Sequence, residues 1–173
     1  MNIGEEVPSA FVAILDNDLP VSFDIRNLLT GHRCLIIGAP QAFTPICSKT
    51  HVPEIACDLE RYRALGFDRF LVIAPDNPWT MKAWQRHFPE AEEFIFLSDG
   101  NMDFVRTCGL TERCAGLFLG ECSKRYVIQT TGTRVEHIDV EESVLVVSRT
   151  GSQAQLHSLV DTESDSMFEI VDA

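Results

Sequence analysis

Hydrophobic positions along the chain fall into two kinds of run that alternate with each other. Residues 33–38 (RCLIIG) and 67–74 are short, near-continuous apolar stretches, the pattern of strands buried on both faces. A third such stretch covers 93–97. Between the first two, residues 46–65 place Val52, Ile55, Leu59 and Tyr62 close to helical spacing and predict a helix. Pro53 lies inside it and removes one backbone donor, which predicts a kink. Residues 78–88 predict a second helix with Pro78 in its first turn, and Asp99-Gly100-Asn101 reads as a turn. Residues 125–130 and 135–140 alternate around Thr131-Gly132-Thr133, a hairpin signal, and 153–160 predict a last helix. Strands alternating with helices predict an α/β layered fold in one domain over residues 1–160. Residues 161–173 carry five acidic residues and no basic ones and read as an acidic C-terminal tail.

Charge narrows the partners. With 14 Lys and Arg against 26 Asp and Glu, the net charge is −12, which argues against a large basic footprint for nucleic acid or an anionic membrane. The N-terminus lacks the positive start and apolar run of a secretory signal, and the apolar stretches 34–40 and 144–147 are too short to span a bilayer. The expected location is the cytoplasm or another reducing compartment. Cysteines stand at positions 34, 47, 57, 108, 114 and 122 with no C-x-x-C among them, so they read as free thiols rather than a disulfide framework.

The chemistry concentrates in the segment from Gly38 to His51, GAPQAFTPICSKTH. Cys47 falls where a strand-to-helix turn becomes the first helical turn, and there the unpaired backbone N–H groups and the helix macrodipole favour a thiolate. Thr44, three residues earlier, can turn its hydroxyl toward the sulfur and an incoming oxygen, while Pro40 and Pro45 restrict the backbone on either side. The residues alone leave two readings open, a reactive cysteine and an inert one packed at a helix start. Arg125 alone reads as a surface arginine at a strand start, His51 as a packing or pocket residue, Trp79 and Trp84 as core or pocket wall, and Lys49 as solvated. A Cys47/His51 metal site lacks a second ligand pair of suitable spacing.

Four motifs in order decide between the readings. Pro40-x-x-x-Thr44-x-x-Cys47, extended as AFTPICSKTHVP, resembles the active-site string of the peroxiredoxin family, in its V-like subgroup. Asp76–Trp84 (DNPWTMKAW), Leu97–Asn101 (LSDGN) and Ser123–Tyr126 (SKRY) resemble further strings of that subgroup, so the likeness covers roughly residues 30–145. The resemblance implies a thioredoxin-like fold with a mixed central sheet flanked by helices. It implies a thiol peroxidase in which Cys47 attacks a hydroperoxide and becomes a sulfenic acid. Thr44 is then the residue that hydrogen-bonds peroxide and thiolate, Arg125 the charge that favours the thiolate and the leaving oxygen, and Pro40 the shield of the pocket. It also implies a homodimer packed near the active sites, and no cofactor or metal.

The sequence departs from the subgroup at three places. Gln41 replaces a glycine after Pro40, Cys122 stands where an arginine is common, and residues 141–173 hold no cysteine, so a late-loop resolving partner is missing. Cys57 is ten residues beyond Cys47, about 15 Å along a straight helix. Cys34, on a strand, reads as core. The expected cycle therefore uses one cysteine, with glutathione or glutaredoxin attacking the sulfenic acid. The alternatives are a two-cysteine, thioredoxin-reduced cycle through Cys122 or Cys57, and a redox sensor without turnover on the same scaffold. A disulfide reductase is disfavoured by the absence of C-x-x-C.

Overall fold

The computed structural model describes residues 1–159. The tail 161–173 and the last residue of the expected final helix lie outside the described residues. A seven-stranded mixed sheet organises the chain in the order β2-β1-β5-β4-β3-β8-β9. Its strands are β1 (Phe11–Asp16), β2 (Leu19–Asp24), β3 (Arg33–Gly38), β4 (Arg69–Ala74), β5 (Ile95–Ser98), β8 (Tyr126–Thr131) and β9 (Arg134–Val140). β3, β4 and β5 run parallel, whereas β1 and β8 join them antiparallel at either side. Two further strands, β6 (Thr111–Cys114) and β7 (Gly120–Ser123), form a separate antiparallel ribbon. This is the thioredoxin-like arrangement expected from the motifs.

Period two explains why the central strands are apolar throughout. Leu35, Ile37, Phe70 and Val72 point into one core, with Trp84 and Tyr62, while Cys34, Ile36, Leu71 and Ile73 point into the other, with Phe104 and Leu29. Burial of each such aliphatic side chain contributes about 1.5–3 kcal/mol, so the sheet is held from both sides. Helices α2 (Val52–Cys57), α3 (Leu59–Ala64) and α4 (Pro78–Gln85) supply partners to the first core, and α1 (Arg26–Leu29) and α5 (Asp103–Thr107) to the second. Gly38, at the end of β3, faces Tyr126 in register, and a Cβ there would lie 2.1 Å from the tyrosine ring. Only glycine fits at that crossing.

The helix expected over 46–65 is broken twice. Residues 47–51 form a π turn in which the Val52 N–H reaches back to the carbonyl of Cys47. Pro53 cannot donate to the turn before it, and the backbone takes up that missing bond as a wider turn next to the proline. The second break is at Asp58, which leaves helical geometry (φ −96°, ψ 12°) and separates α2 from α3. Its carboxylate accepts from Ser152 Oγ (2.7 Å) and Gln153 Nε2 (2.8 Å), so it anchors helix α6 (152–159) from far along the chain. At the second expected helix, Asn77 caps α4 by accepting the Thr80 N–H at 2.9 Å, and Pro78 opens its first turn. Trp84 is fully buried, but Trp79 is 52% exposed, contrary to the expectation that both belong to the core or a pocket wall. The α4 helix turns one face inward, and Trp79 lies off that face.

Candidate active site

The loop after β3 is braced before the helix begins. Asp76, after β4, accepts the Ala42 N–H at 2.7 Å, and Phe43 takes a left-handed conformation (φ 59°), rare for an aromatic residue. Its ring packs edge-on against His87, with centroids 5.0 Å apart. Gln41 donates through Nε2 to the carbonyl of Leu119 on the ribbon at 3.1 Å. Thr44 then starts the helix, its carbonyl accepting the Ser48 N–H at 3.0 Å, and Cys47 follows in the first turn. Ser48 accepts from Trp84 Nε1 at 2.9 Å, which fixes the turn against α4.

Arg125, just before β8, enters this turn from the opposite edge and is 1% exposed. Its Nη1 lies 3.2 Å from Cys47 Sγ and 3.2 Å from His51 Nδ1, and Nη2 donates to the Val144 carbonyl at 2.7 Å. Among the described residues no carboxylate is hydrogen-bonded to this guanidinium. A buried cation without an anionic partner is costly, and the Cys47 sulfur is the group beside it that can carry the balancing charge. Burial, reinforced by the adjacent Arg125 charge, pushes His51 down to about 3, so its ring is neutral and its Nδ1 is free to accept from the guanidinium. The place a metal would take beside Cys47 and His51 is thus occupied by Arg125.

Above Arg125 a cavity of about 260 Å³ opens, with Pro40, Thr44 and Arg125 at its base and Leu117, Leu119, Val144 and Leu145 among its walls. Thr44 donates its hydroxyl hydrogen to the Gln41 carbonyl at 2.9 Å. With no peroxide bound, the hydroxyl hydrogen is thus engaged by a backbone carbonyl of its own loop. Toward the cavity Thr44 offers lone pairs, which suit a peroxide O–H donor. The four residues singled out from the motif, Pro40, Thr44, Cys47 and Arg125, thus meet at one place.

A family model described as Redoxin matches residues 3–151. Peroxiredoxin-2C of Oryza sativa subsp. japonica is 30% identical over 141 residues, covering 81% of this chain and 87% of the relative. The chain belongs to the peroxiredoxin family. Among solved structures, reduced Prx3 from Vibrio vulnificus in complex with hydrogen peroxide aligns with a TM-score of 0.84 at 27% identity, over 92% of this chain and 99% of that one. Peroxiredoxin-2E, chloroplastic, of Arabidopsis thaliana is 30% identical over 149 residues, 82% of this chain and 62% of the relative. As a peroxiredoxin the chain is a thiol peroxidase, an oxidoreductase acting on hydroperoxides.

Several groups that shape the site gave no sequence signal. The Val144 carbonyl is a backbone group and no side-chain motif can announce it. Glu141 belongs to no motif, yet its carboxylate accepts from Ser148 N–H (2.6 Å), Ser148 Oγ (2.8 Å), Thr150 N–H (2.9 Å) and Thr150 Oγ1 (2.9 Å). Leu117 and Leu119 come from the ribbon, whose position depends on contacts distant in sequence.

Proposed function

We propose that this peroxiredoxin reduces hydrogen peroxide and alkyl hydroperoxides through a one-cysteine cycle at Cys47, with glutathione or glutaredoxin as the reductant. The observation that carries the reading is the fully buried Arg125 with Nη1 3.2 Å from Cys47 Sγ and no bonded carboxylate among the described residues. The Cys47 thiolate attacks the distal peroxide oxygen, the O–O bond breaks, and the leaving oxygen takes up a proton as water or an alcohol. Arg125 stabilises both the thiolate and that oxygen, Thr44 Oγ1 accepts a hydrogen bond from the peroxide O–H, and Pro40 walls the pocket against water. A first glutathione displaces water from the sulfenic acid and forms a mixed disulfide. A second glutathione releases the Cys47 thiolate and oxidised glutathione.

The remaining cysteines support a one-cysteine cycle over an internal one. Cys57 is exposed at the end of α2, and Cys34 and Cys108 are core residues whose burial pushes their thiols up to about 11 and about 12. Cys122 is buried on the ribbon, and that burial together with Cys114 pushes its thiol up to about 12, which makes it a poor attacking group at neutral pH. Exposed Leu117, Phe118, Leu145 and Val146 beside the cavity mouth form the apolar face on which a second copy would pack, so the proposed state is a homodimer. No helix among the described residues is long and apolar enough to cross a membrane, and the proposed location is the cytoplasm. Residues 1–160 form the peroxidase domain in this reading, followed by the acidic tail.

Steady-state peroxide consumption tests the reading, with glutathione and glutaredoxin compared against thioredoxin as electron donors. Turnover in the first system that disappears in Cys47→Ser, with an unchanged circular dichroism spectrum, is the expected result. Retention of more than background turnover by that variant overturns it.

A further inference from the structure

The β6–β7 ribbon holds a second pair of thiols that the peroxide chemistry does not use. In its register Glu112 lies opposite Cys122 and Cys114 opposite Gly120, so Cys114 and Cys122 are diagonal neighbours on one face. Cys122 is fully buried there and Cys114 half-buried. Two thiols packed as small apolar groups would need no further explanation. The position of the ribbon supplies one. The residues between the two cysteines include Leu117 and Leu119, which wall the peroxide cavity. The ribbon is also tied to the catalytic loop at two points, Gln41 Nε2 to the Leu119 carbonyl (3.1 Å) and Ser123 N–H to the Pro40 carbonyl (3.4 Å).

We infer that Cys114 and Cys122 are a redox-active dithiol that closes to a disulfide as oxidised glutathione, or a like small disulfide, accumulates, and that closure slows peroxide reduction at Cys47. The inference rests on the one-cysteine reading, whose cycle produces that disulfide. Cys114, the accessible partner, attacks one sulfur of oxidised glutathione and releases one glutathione. Cys122, a poor attacking group toward a distant sulfur, shares a ribbon face with Cys114, and in the mixed disulfide its sulfur attacks Cys114 slowly as its proton passes to the departing second glutathione. The protein dithiol gives up two electrons and two protons, and both appear on the two glutathione molecules. Diagonal neighbours stand with Cα atoms about 7–8 Å apart, beyond the span of about 4.4–6.8 Å that a disulfide bridges, so closure requires the ribbon backbone to move. That movement shifts the Leu117–Leu119 wall, and a strained bond is readily reduced again when glutathione is in excess.

Cleavage after Arg113 and Lys124 yields one peptide containing both cysteines, so the bond reads as a mass lower by two hydrogens. The wild-type chain and Cys47→Ser are each incubated with oxidised glutathione, and the peptide is mapped without reduction. Both should yield the lighter peptide. The oxidised wild type should consume peroxide several-fold more slowly over its first turnovers than before treatment, while Cys114→Ser keeps its rate after the same treatment. A peptide that stays fully reduced or carries only glutathione adducts overturns the inference, as does an equal slowing in Cys114→Ser. Because Cys47→Ser reports the bond without any turnover, loss of the peroxidase reading and loss of this one give different results.

Discussion

The Glu141 N–H donates to the carbonyl of Arg125 at 2.9 Å, joining the end of β9 to the residue that carries the guanidinium. The side chain of the same glutamate gathers Ser148 and Thr150, and so fixes the loop whose Val144 carbonyl receives Arg125 Nη2. Burial alone would push the Glu141 carboxyl up, but the bonds from Thr150 and Ser148 outweigh it and hold it below the usual carboxylate range. Glu141→Gln should therefore lower unfolding free energy by about 1–3 kcal/mol and slow peroxide reduction with the fold retained. Urea denaturation and stopped-flow peroxide consumption measure the two effects. A variant equal to wild type in both would show that the loop does not depend on this carboxylate.

His51 adds a separate acid dependence. Its value is lowered from 6.5 to about 3 by burial first and Arg125 second, so below about 6.5 the unfolded chain binds a proton that the folded chain refuses. Stability from this group is present above pH 6.5 and is lost as pH falls toward 3, by about 1.4 kcal/mol per pH unit. Chemical denaturation across pH 7 to about 4 should show that slope in the wild type and a shallower one in His51→Asn. Parallel slopes would place the effect elsewhere.

Arg125→Met removes the charge beside the sulfur while keeping much of the apolar stem. The rate of peroxide attack should fall by about 10²–10³, the usual effect of losing one donor aimed at a developing anion. Iodoacetamide should also alkylate Cys47 of the variant more slowly at neutral pH. Unchanged rates in both assays would remove Arg125 from the reaction.

One equivalent of peroxide, without added thiol, should leave a Cys47 sulfenic acid that dimedone traps and glutathione converts to a mixed disulfide. Peptides joining Cys47 to Cys122 or to Cys57 in stoichiometric yield would instead establish an internal cycle.

Sedimentation at micromolar concentration should give a mass near twice the 19.4 kDa of the chain. A mass of one chain would leave the apolar face around Leu117 and Leu145 without its proposed partner.

How much could be read in advance varied with the source of each constraint. β3 has the bounds its apolar run predicts, and the 125–140 hairpin is present as β8 and β9, because strands buried on both faces write their position into local composition. Cys47 and Arg125 were singled out only through the resemblance of their motifs to a family's; by itself Arg125 reads as a surface arginine, whereas it is buried. The break at Asp58 was not, because its cause is α6, more than ninety residues later. The β1–β2 hairpin escaped the pattern because β2 carries Pro20 and exposes much of its apolar surface. Its turn, with Asn17 and Asp18 both left-handed, did carry a signal in those two residue types. Helix α5 spans five residues, too few for periodicity to register.

The unmatched burial of Arg125 has a consequence once the sulfur changes oxidation state. In the proposed cycle a thiolate neutralises the guanidinium, whereas a sulfenic acid carries no charge, so each turnover would leave the buried Arg125 without its balancing anion. Electroneutrality then works against the closed structure. The π turn next to Pro53, already one backbone bond short, is the adjacent segment least costly to open. Peroxide reduction in this geometry supplies its own drive for presenting Cys47 to the reductant, and regeneration of the thiolate restores the pair and draws the turn closed.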